Sequence, residues 1–317
     1  MGLKKYRDQD MPTFYFFGVS TAQSSIMRVF PEWVKYLDMG ECRLQGIDFK
    51  RHDKPQAYRE AVRFIKEDPL SLGALVTTHK IDLFQATRDL FDELDPYAEL
   101  MGEVSCISKR DTSLIGSAKD PISSGLALEV FLPQNHWRKT GAEVFVIGAG
   151  GSSIAVTCYL MDSRHGDNKP AKITVANRSE PRLHEIQRVH EGVRATIPTD
   201  YVLTPKVENN DAIVNRLPEH SLVINATGLG KDAPGSPVTD RARFPNHAYV
   251  WEFNYRGDLE FLRQANIQKE ERDLTVEDGW IYFIHGWTRA LADVFRIDIP
   301  TEGKVFEELA RIAAQVR

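Results

Sequence analysis

The sequence predicts a two-domain α/β protein: an N-terminal α/β domain, a doubly wound parallel-sheet domain behind it, and C-terminal helices that return to the first domain. Three observations predict this. Strand-like and helix-like segments alternate through most of the 317 residues, the pattern of sheets layered with helices. The run AEVFVI-GAGGSS-IAVTCYLM joins a short apolar strand to a helix through a glycine-rich turn, and a second strand, ITVANRS, follows about thirty residues after the first. From Asp278 onward the tail carries only helical patterns, WIYFIHGWTRALADVF and VFEELARIAAQVR. The expected divisions are 1–125, 126–277 and 278–317.

In chain order, TFYFFGVS reads as a first strand and SSIMRVFPEWVKYL as a helix with apolar residues three and four apart. CRLQGIDF is strand-like. PQAYREAVRFIKEDP is an amphipathic helix in which Ala57, Val62, Phe64 and Ile65 share a core-facing side. GALVTT reads as a buried strand, KIDLFQATRDLFDEL as a helix, and VSCISKRDTSLIGS as a hairpin. Beyond the glycine turn, SLVINATGLG is strand then loop, HAYVWEFNY a strand and LEFLRQAN a helix. There is no internal repeat and no low-complexity tract.

Composition narrows the function classes. The chain is 42% hydrophobic and 27% charged, ordinary for a globular protein with sizeable cores. With 40 basic against 45 acidic residues the net charge is −5, which argues against a general nucleic-acid surface. No window approaches the roughly 18 apolar residues of a membrane span, and the opening MGLKKYRDQDMPTFYFF lacks the apolar run of a signal peptide. Cys42, Cys106 and Cys158 are scattered and odd in number, so neither a disulfide framework nor a zinc site is indicated. No carboxylate–histidine spacing suggests a metal. A cytoplasmic protein is expected.

The glycine turn carries chemistry. In Gly148-Ala149-Gly150-Gly151-Ser152-Ser153 the glycines permit a tight turn and close approach of the backbone to a pyrophosphate, which then sits on a helix N-terminus where free N–H groups and the dipole favour an anion. Gly148 and Gly150 take the first two fingerprint positions, while Ser153 stands where a third glycine or alanine is usual. This is a Rossmann-type dinucleotide site. An acidic residue commonly ends the second strand to hold the ribose hydroxyls of NAD. Here Asn177-Arg178-Ser179 stands there, with Arg182 three residues on. A guanidinium suits a 2′-phosphate through paired charge-assisted hydrogen bonds, so the expected cofactor is NADP.

Further segments resemble the shikimate/quinate dehydrogenase family, in that family's order and over nearly the whole chain. Val76-Thr77-Thr78-His79-Lys80 is similar to the segment in which a strand ends in Val-Thr and delivers a catalytic lysine. Gly102-Glu103-Val104-Ser105-Cys106-Ile107 resembles its Gly-Ala-Val-Asn-Thr-Ile strand. The Gly116–Asp120 stretch resembles its Gly-x-Asn-Thr-Asp turn, with Asp120 on the catalytic aspartate. Asn225-Ala226-Thr227-Gly228-Leu229-Gly230 looks like its Asn-Ala-Thr loop beside the nicotinamide. Tyr255 matches the tyrosine after the next strand, and Gly279 the glycine opening the C-terminal segment. The resemblance implies an N-terminal substrate domain, Lys80 and Asp120 as catalytic residues, and Ser24, Thr77, Ser105, Tyr255 and His285 as substrate contacts. It also implies a place in aromatic amino acid biosynthesis through the shikimate pathway.

Departures from the family pattern fall on the substrate side. A first-strand serine pair becomes Ala22 and Ser24, and the Val-Thr segment is one residue short. The Asn-Thr asparagine is Ser105, the turn before the aspartate reads Ala118-Lys119, and the family glutamine falls on Gly286, between His285 and Trp287. Buried polar contacts discriminate strongly, an unmatched group costing about 1–3 kcal/mol, so shikimate itself is not assumed. The implied activity is NADP-dependent interconversion of a secondary alcohol and a ketone on a small, cyclic hydroxylated acid. The expected partners are that substrate and, left open, a second copy of the chain in a homodimer. Two rival readings are a methylene-tetrahydrofolate-type dehydrogenase and a non-catalytic NADP-binding sensor.

Overall fold

The computed structural model describes residues 6, 8–193, 197–231 and 233–315. They form two compact units, one of Met1–Lys119 with Ile284–Arg317, the other of Asp120–Phe283.

The first unit is built on a mixed six-stranded sheet. Its strands are β1 (Thr13–Gly18), β2 (Arg43–Asp48), β3 (Ser71–Val76), β4 (Glu93–Leu94), β5 (Cys106–Arg110) and β6 (Ser113–Ser117), in the order β2-β1-β3-β5-β6-β4. Every residue of β1 is buried, as a strand flanked by parallel partners and covered on both faces requires. It pairs with β2 and β3, and Phe17 lies opposite both Ile47 and Val76. β5 runs antiparallel to β3 and β6, with Cys106 opposite Leu75 and Ser117. The C-terminal ends of β1, β3 and β6 and the start of β5 therefore meet at one edge.

Helices cover this sheet. Ile26, Val29, Phe30 and Trp33 are the buried stripe of the Ile26–Tyr36 helix, and Trp33 Nε1 donates to the Leu309 carbonyl at 2.9 Å. That bond ties the first helix to the final one, Gly303–Ala314, so the C-terminal helices pack on the first unit as the sequence predicts. Trp287 lies edge-on to Phe14 and Phe16 of β1 and belongs to this core.

Two local expectations need correction. The buried face of the Pro55–Glu67 helix is Tyr58, Ala61, Val62 and Ile65, whereas Phe64 packs against Tyr6 and Tyr15 at the margin. The long helix expected from Lys80 stops at Thr87. Thr87 Oγ1 turns back onto the Leu83 carbonyl, a side-chain bond that competes with continued helix. The Arg59–Asp89 ion pair holds the following turn, and β4 then pairs with β6.

In the second unit six strands are all parallel: β7 (Val144–Ile147), β8 (Ile173–Asn177), β9 (Thr199–Leu203), β10 (Leu222–Asn225), β11 (Tyr249–Glu252) and β12 (Thr275–Glu277), ordered β12-β11-β10-β7-β8-β9. Phe145, Ile147, Val223, Val250, Phe244 and Phe261 fill one core beside it. Strand order reverses between β7 and β10, the switch point outside whose carboxyl ends open α/β sheets bind ligands.

Candidate active site

At the sheet edge of the first unit the structure gathers several residues singled out from the sequence. Thr77 follows β3, its N–H and Oγ1 both donating to the Phe17 carbonyl at the end of β1. Ser105 precedes β5: its carbonyl accepts the Val76 N–H at 2.8 Å, and its N–H donates to the Ser117 carbonyl at 3.0 Å. Ala118 and Lys119 leave β6 at the same edge. Ser24 closes the short turn after β1, half-buried, while Ala22 is exposed. That turn is anchored by Thr21, whose N–H and hydroxyl both donate to Asp48 Oδ1.

Lys80 is the first residue of its helix, one turn beyond this edge and partly buried. Burial pushes its ammonium toward losing the proton, and the negative charge of Glu103 works against that. Thr78 before it has φ of 60°, and His79 is buried with Nδ1 at 3.1 Å from the Tyr58 hydroxyl. His79 is thus a packed side chain beside the lysine.

The hydroxyl of Ser105 is already engaged, accepting the Lys119 N–H at 2.8 Å. Lys119 Nζ meets Asp293 Oδ2 at 2.7 Å, and the Ala118 N–H donates to Asp95. The turn before Asp120 is therefore held by ion pair and hydrogen bond. Gly286 presents a face with nothing within 4 Å of where a Cβ would stand. Its neighbour His285 is fully buried, 4.3 Å from and nearly parallel to the Phe306 ring. Neither ring nitrogen of His285 has a hydrogen-bond partner, and burial pulls its pKa down to about 4.

In the second unit Asp120 is mostly buried and opens the Asp120–Phe131 helix. The glycine turn and the Asn225 loop, far apart in sequence, touch at the switch point. Gly148 has φ of 109°, and a Cβ there would stand 2.7 Å from the Ala226 carbonyl oxygen, so only glycine fits. Gly150 caps the Gly151–Leu160 helix with open space where its Cβ would be. One glycine thus lets two loops meet, and the next leaves a cradle for a phosphate at helical N–H groups. Ala149 is buried behind the turn, Gly151 and Ser152 face partly outward, and Ser153 is buried with no partner for its hydroxyl.

At the end of β8, Asn177 Nδ2 donates to Ser179 at its carbonyl and Oγ, and Arg178 and Arg182 are exposed beside it. The residues present fit a dinucleotide. Around Thr227, whose N–H and hydroxyl donate to Asn225 Oδ1, the loop reverses through Gly228 at φ of 78°. Tyr255 packs on Trp280 and Phe283.

Two of the buried carboxylates that escaped the sequence reading lie at these edges. Glu252 ends β11 at 0% exposure. It accepts from Asn225 Nδ2 at 2.6 Å, the Asn254 N–H at 2.8 Å and Asn254 Nδ2 at 2.7 Å. Burial, the dominant effect, raises its pKa to about 7 against these donors and Lys231. Glu103 is the other, 2% exposed, with Oε1 unpartnered. Its one signal in sequence is a carboxylate where the resembling strand carries alanine.

No protein-family model matches the chain. Among curated relatives, shikimate dehydrogenase (NADP(+)) of Streptococcus thermophilus is 28% identical over 184 residues, 57% of this chain and 59% of that protein. The chain thus spans less than two thirds of the length of this relative. Quinate dehydrogenase from Corynebacterium glutamicum, solved with NAD, superposes with a TM-score of 0.73 at 18% identity, covering 97% of this chain and all of that one. The 5-ketofructose reductase of a Gluconobacter strain gives 0.69 at 16% identity, with coverages of 97% and 99%. These structural likenesses are likenesses of fold. The sequence matches make the chain similar to shikimate dehydrogenases over part of its length, and the structural likenesses extend the shared fold over nearly all of it.

Proposed function

We propose that the protein is an NADP-dependent oxidoreductase that interconverts a secondary alcohol and a ketone on a small hydroxylated carboxylic acid, most simply a cyclic one. The observation that carries this reading is Lys80: a lysine whose proton is loosened by burial, standing at the edge where Thr77 and Ser105 also end. Oxidising an alcohol needs a group that removes the hydroxyl proton, and a neutral amine does so. Its ammonium form returns the proton in the reverse direction. Asp120, the residue after Lys119 in the chain, is assigned as the carboxylate that stabilises the lysine and orients the hydroxyl. NADP, when bound, takes or gives the hydride. The second unit's part is to hold it at the Gly148–Ser153 turn, at Asn177–Arg182 and along the Asn225–Gly228 loop.

The substrate side supports a shifted specificity. The Ser105 hydroxyl is occupied by the Lys119 N–H, Ala22 and Ala118 offer no polar group, and Gly286 leaves open space. Shikimate is therefore expected to be poorer than another hydroxy acid or ketone. The test is a turnover panel with NADP that includes shikimate, quinate, amino analogues and 5-ketofructose. Shikimate turned over alone, above about 10⁴ M⁻¹s⁻¹, overturns the altered pocket. No turnover across a broad panel favours the non-catalytic NADP sensor.

The cofactor preference has its own measurement. Arg178 and Arg182 at a 2′-phosphate contribute on the order of 1–3 kcal/mol, about five- to over a hundredfold in affinity. Titration should show NADP binding tighter than NAD by that factor, with Arg178→Ala removing most of it. Equal affinities, or tighter NAD, refute the assignment.

A further inference from the structure

Glu103 is placed by a rigid corner. Gly102 caps the Pro96–Met101 helix in the left-handed region, with φ of 65°. The Glu103 N–H then donates to the Ala98 carbonyl and the Val104 N–H to the Lys80 carbonyl, each at 3.3 Å. The second bond fixes the segment against the first turn of the lysine's helix. The side chain is 2% exposed and Oε1 meets no donor. A carboxylate kept in that setting is costly unless a cation compensates it. Lys80 is the cation that acts on it: burial raises the Glu103 pKa and Lys80 lowers it, while the lysine feels the mirror image.

We propose that Glu103 is a positioning residue for Lys80, a buried carboxylate that sets the lysine's charge state and therefore the pH range in which it exchanges a proton. The use made of that proton rests on the function proposed above; the coupling of the two charges does not. Other charges nearby in the first unit are committed elsewhere. His79 is bound to Tyr58, and Asp82 in the same helical turn is paired with His52 at 3.0 Å. Asp120, assigned to the same lysine, stays unchanged in every variant compared. Glu103 sits behind the first turn of the lysine's helix, held there by the Val104 N–H on the Lys80 carbonyl, so its assigned part is on the amine and not on substrate.

The test needs no substrate. Competitive acetylation of the full chain across pH, followed by peptide mass spectrometry, reports the protonation of Lys80 directly. Glu103→Gln keeps the shape and removes the charge. It should move the Lys80 reactivity midpoint down by at least about one pH unit, a tenfold gain in neutral amine below the midpoint, with the other lysines unmoved. Glu103→Asp should restore most of the wild-type profile. Coincident wild-type and Gln profiles overturn the proposal, as does an Asp variant that behaves like Gln. Should the Gln variant not fold, Lys80→Met carries the test: the lost cation raises the Glu103 pKa further, seen as a protonated-carboxyl infrared band that persists to higher pH than in the wild type. No such band also overturns it. If the profile shifts as expected but Lys80→Met retains turnover, the catalytic reading fails and the coupling stands.

Discussion

The two units present the same kind of feature, a buried glutamate at the carboxyl edge of a sheet, and resolve it in opposite ways. Glu252 is surrounded by neutral donors, with amides of Asn225 and Asn254 filling both oxygens. Glu103 leaves Oε1 without a donor and feels the charge of Lys80. A fully satisfied polar network fixes a backbone in one arrangement, and the Glu252 network fixes the Asn225–Leu229 loop that closes on the glycine turn. A half-satisfied one is an expense the fold tolerates where it does something else. On the proposed function, one edge is scaffolding for a cofactor and the other is arranged for proton chemistry.

The largest effect that contrast implies is on rate. Lys80→Met should reduce kcat by about 10²–10⁴-fold, about 3–5 kcal/mol of barrier, while NADP affinity stays within twofold of wild type, because the nucleotide segments all lie in the other unit. Once the turnover panel has supplied a substrate, steady-state kinetics and cofactor titration decide it. Retention of more than a tenth of wild-type kcat makes the lysine a bystander, and the first edge would then be scaffolding too.

Stability should show the reverse order. Glu252→Ala strands the Asn225 amide and the Asn254 backbone and side-chain donors inside the second unit, at about 1–3 kcal/mol for each unsatisfied group. Glu103→Ala removes a similar volume but strands no neutral donor, and the lysine it leaves uncompensated is relieved by shedding its proton. Denaturant midpoints should therefore place Glu252→Ala about 3 kcal/mol below Glu103→Ala. Equal losses would mean that the amide network adds nothing beyond packing, and the distinction between the two edges collapses.

What the sequence made legible follows from the range of each interaction. The aromatic run of β1, the β5–β6 hairpin and the Trp280–Phe295 helix depend on local pattern, and each was read from neighbours a few residues apart. The glycine turn was equally legible because strand, glycines and helix are contiguous. The short edge strands β9 and β12 have mixed burial and were not read at all. Glu252 was invisible for another reason: its partner Asn225 is 27 residues away, and WEFNY carries no mark of an inward carboxylate. Glu103 beside a glycine reads as a loop residue until the fold brings the Val104 N–H onto the Lys80 carbonyl. The end of the Lys80 helix was missed because Thr87 breaks it by a side-chain bond that periodicity does not register.

The smallest effect separates the units by pH. His285 in the first unit has its pKa pulled down to about 4 by burial, with Arg289 adding to the shift, whereas Glu252 in the second is pushed up to about 7. In unfolded chain the imidazole titrates near 6.5 and the carboxyl near 4.5. Between pH 6.5 and 4 the unfolded state takes up the His285 proton and the folded state does not, so stability falls as pH falls. Between pH 4.5 and 7 the folded state keeps the Glu252 proton that the unfolded state has lost, so stability falls as pH rises. Each effect is at most about 3 kcal/mol, at about 1.36 kcal/mol per pH unit. His285→Phe keeps the flat ring against Phe306 and removes the titration. Its stability relative to wild type should climb as pH drops from 6.5 to 4 and stay level above. Glu252→Gln should instead gain relative to wild type as pH rises from 4.5 to 7, on top of a constant loss from the acceptor it gives up. Subtracting wild-type from variant unfolding free energies across pH cancels every other titrating group. Flat differences for both variants would show that neither edge holds its titratable group as tightly as its burial implies, and a slope in one alone would say which unit opens to water first.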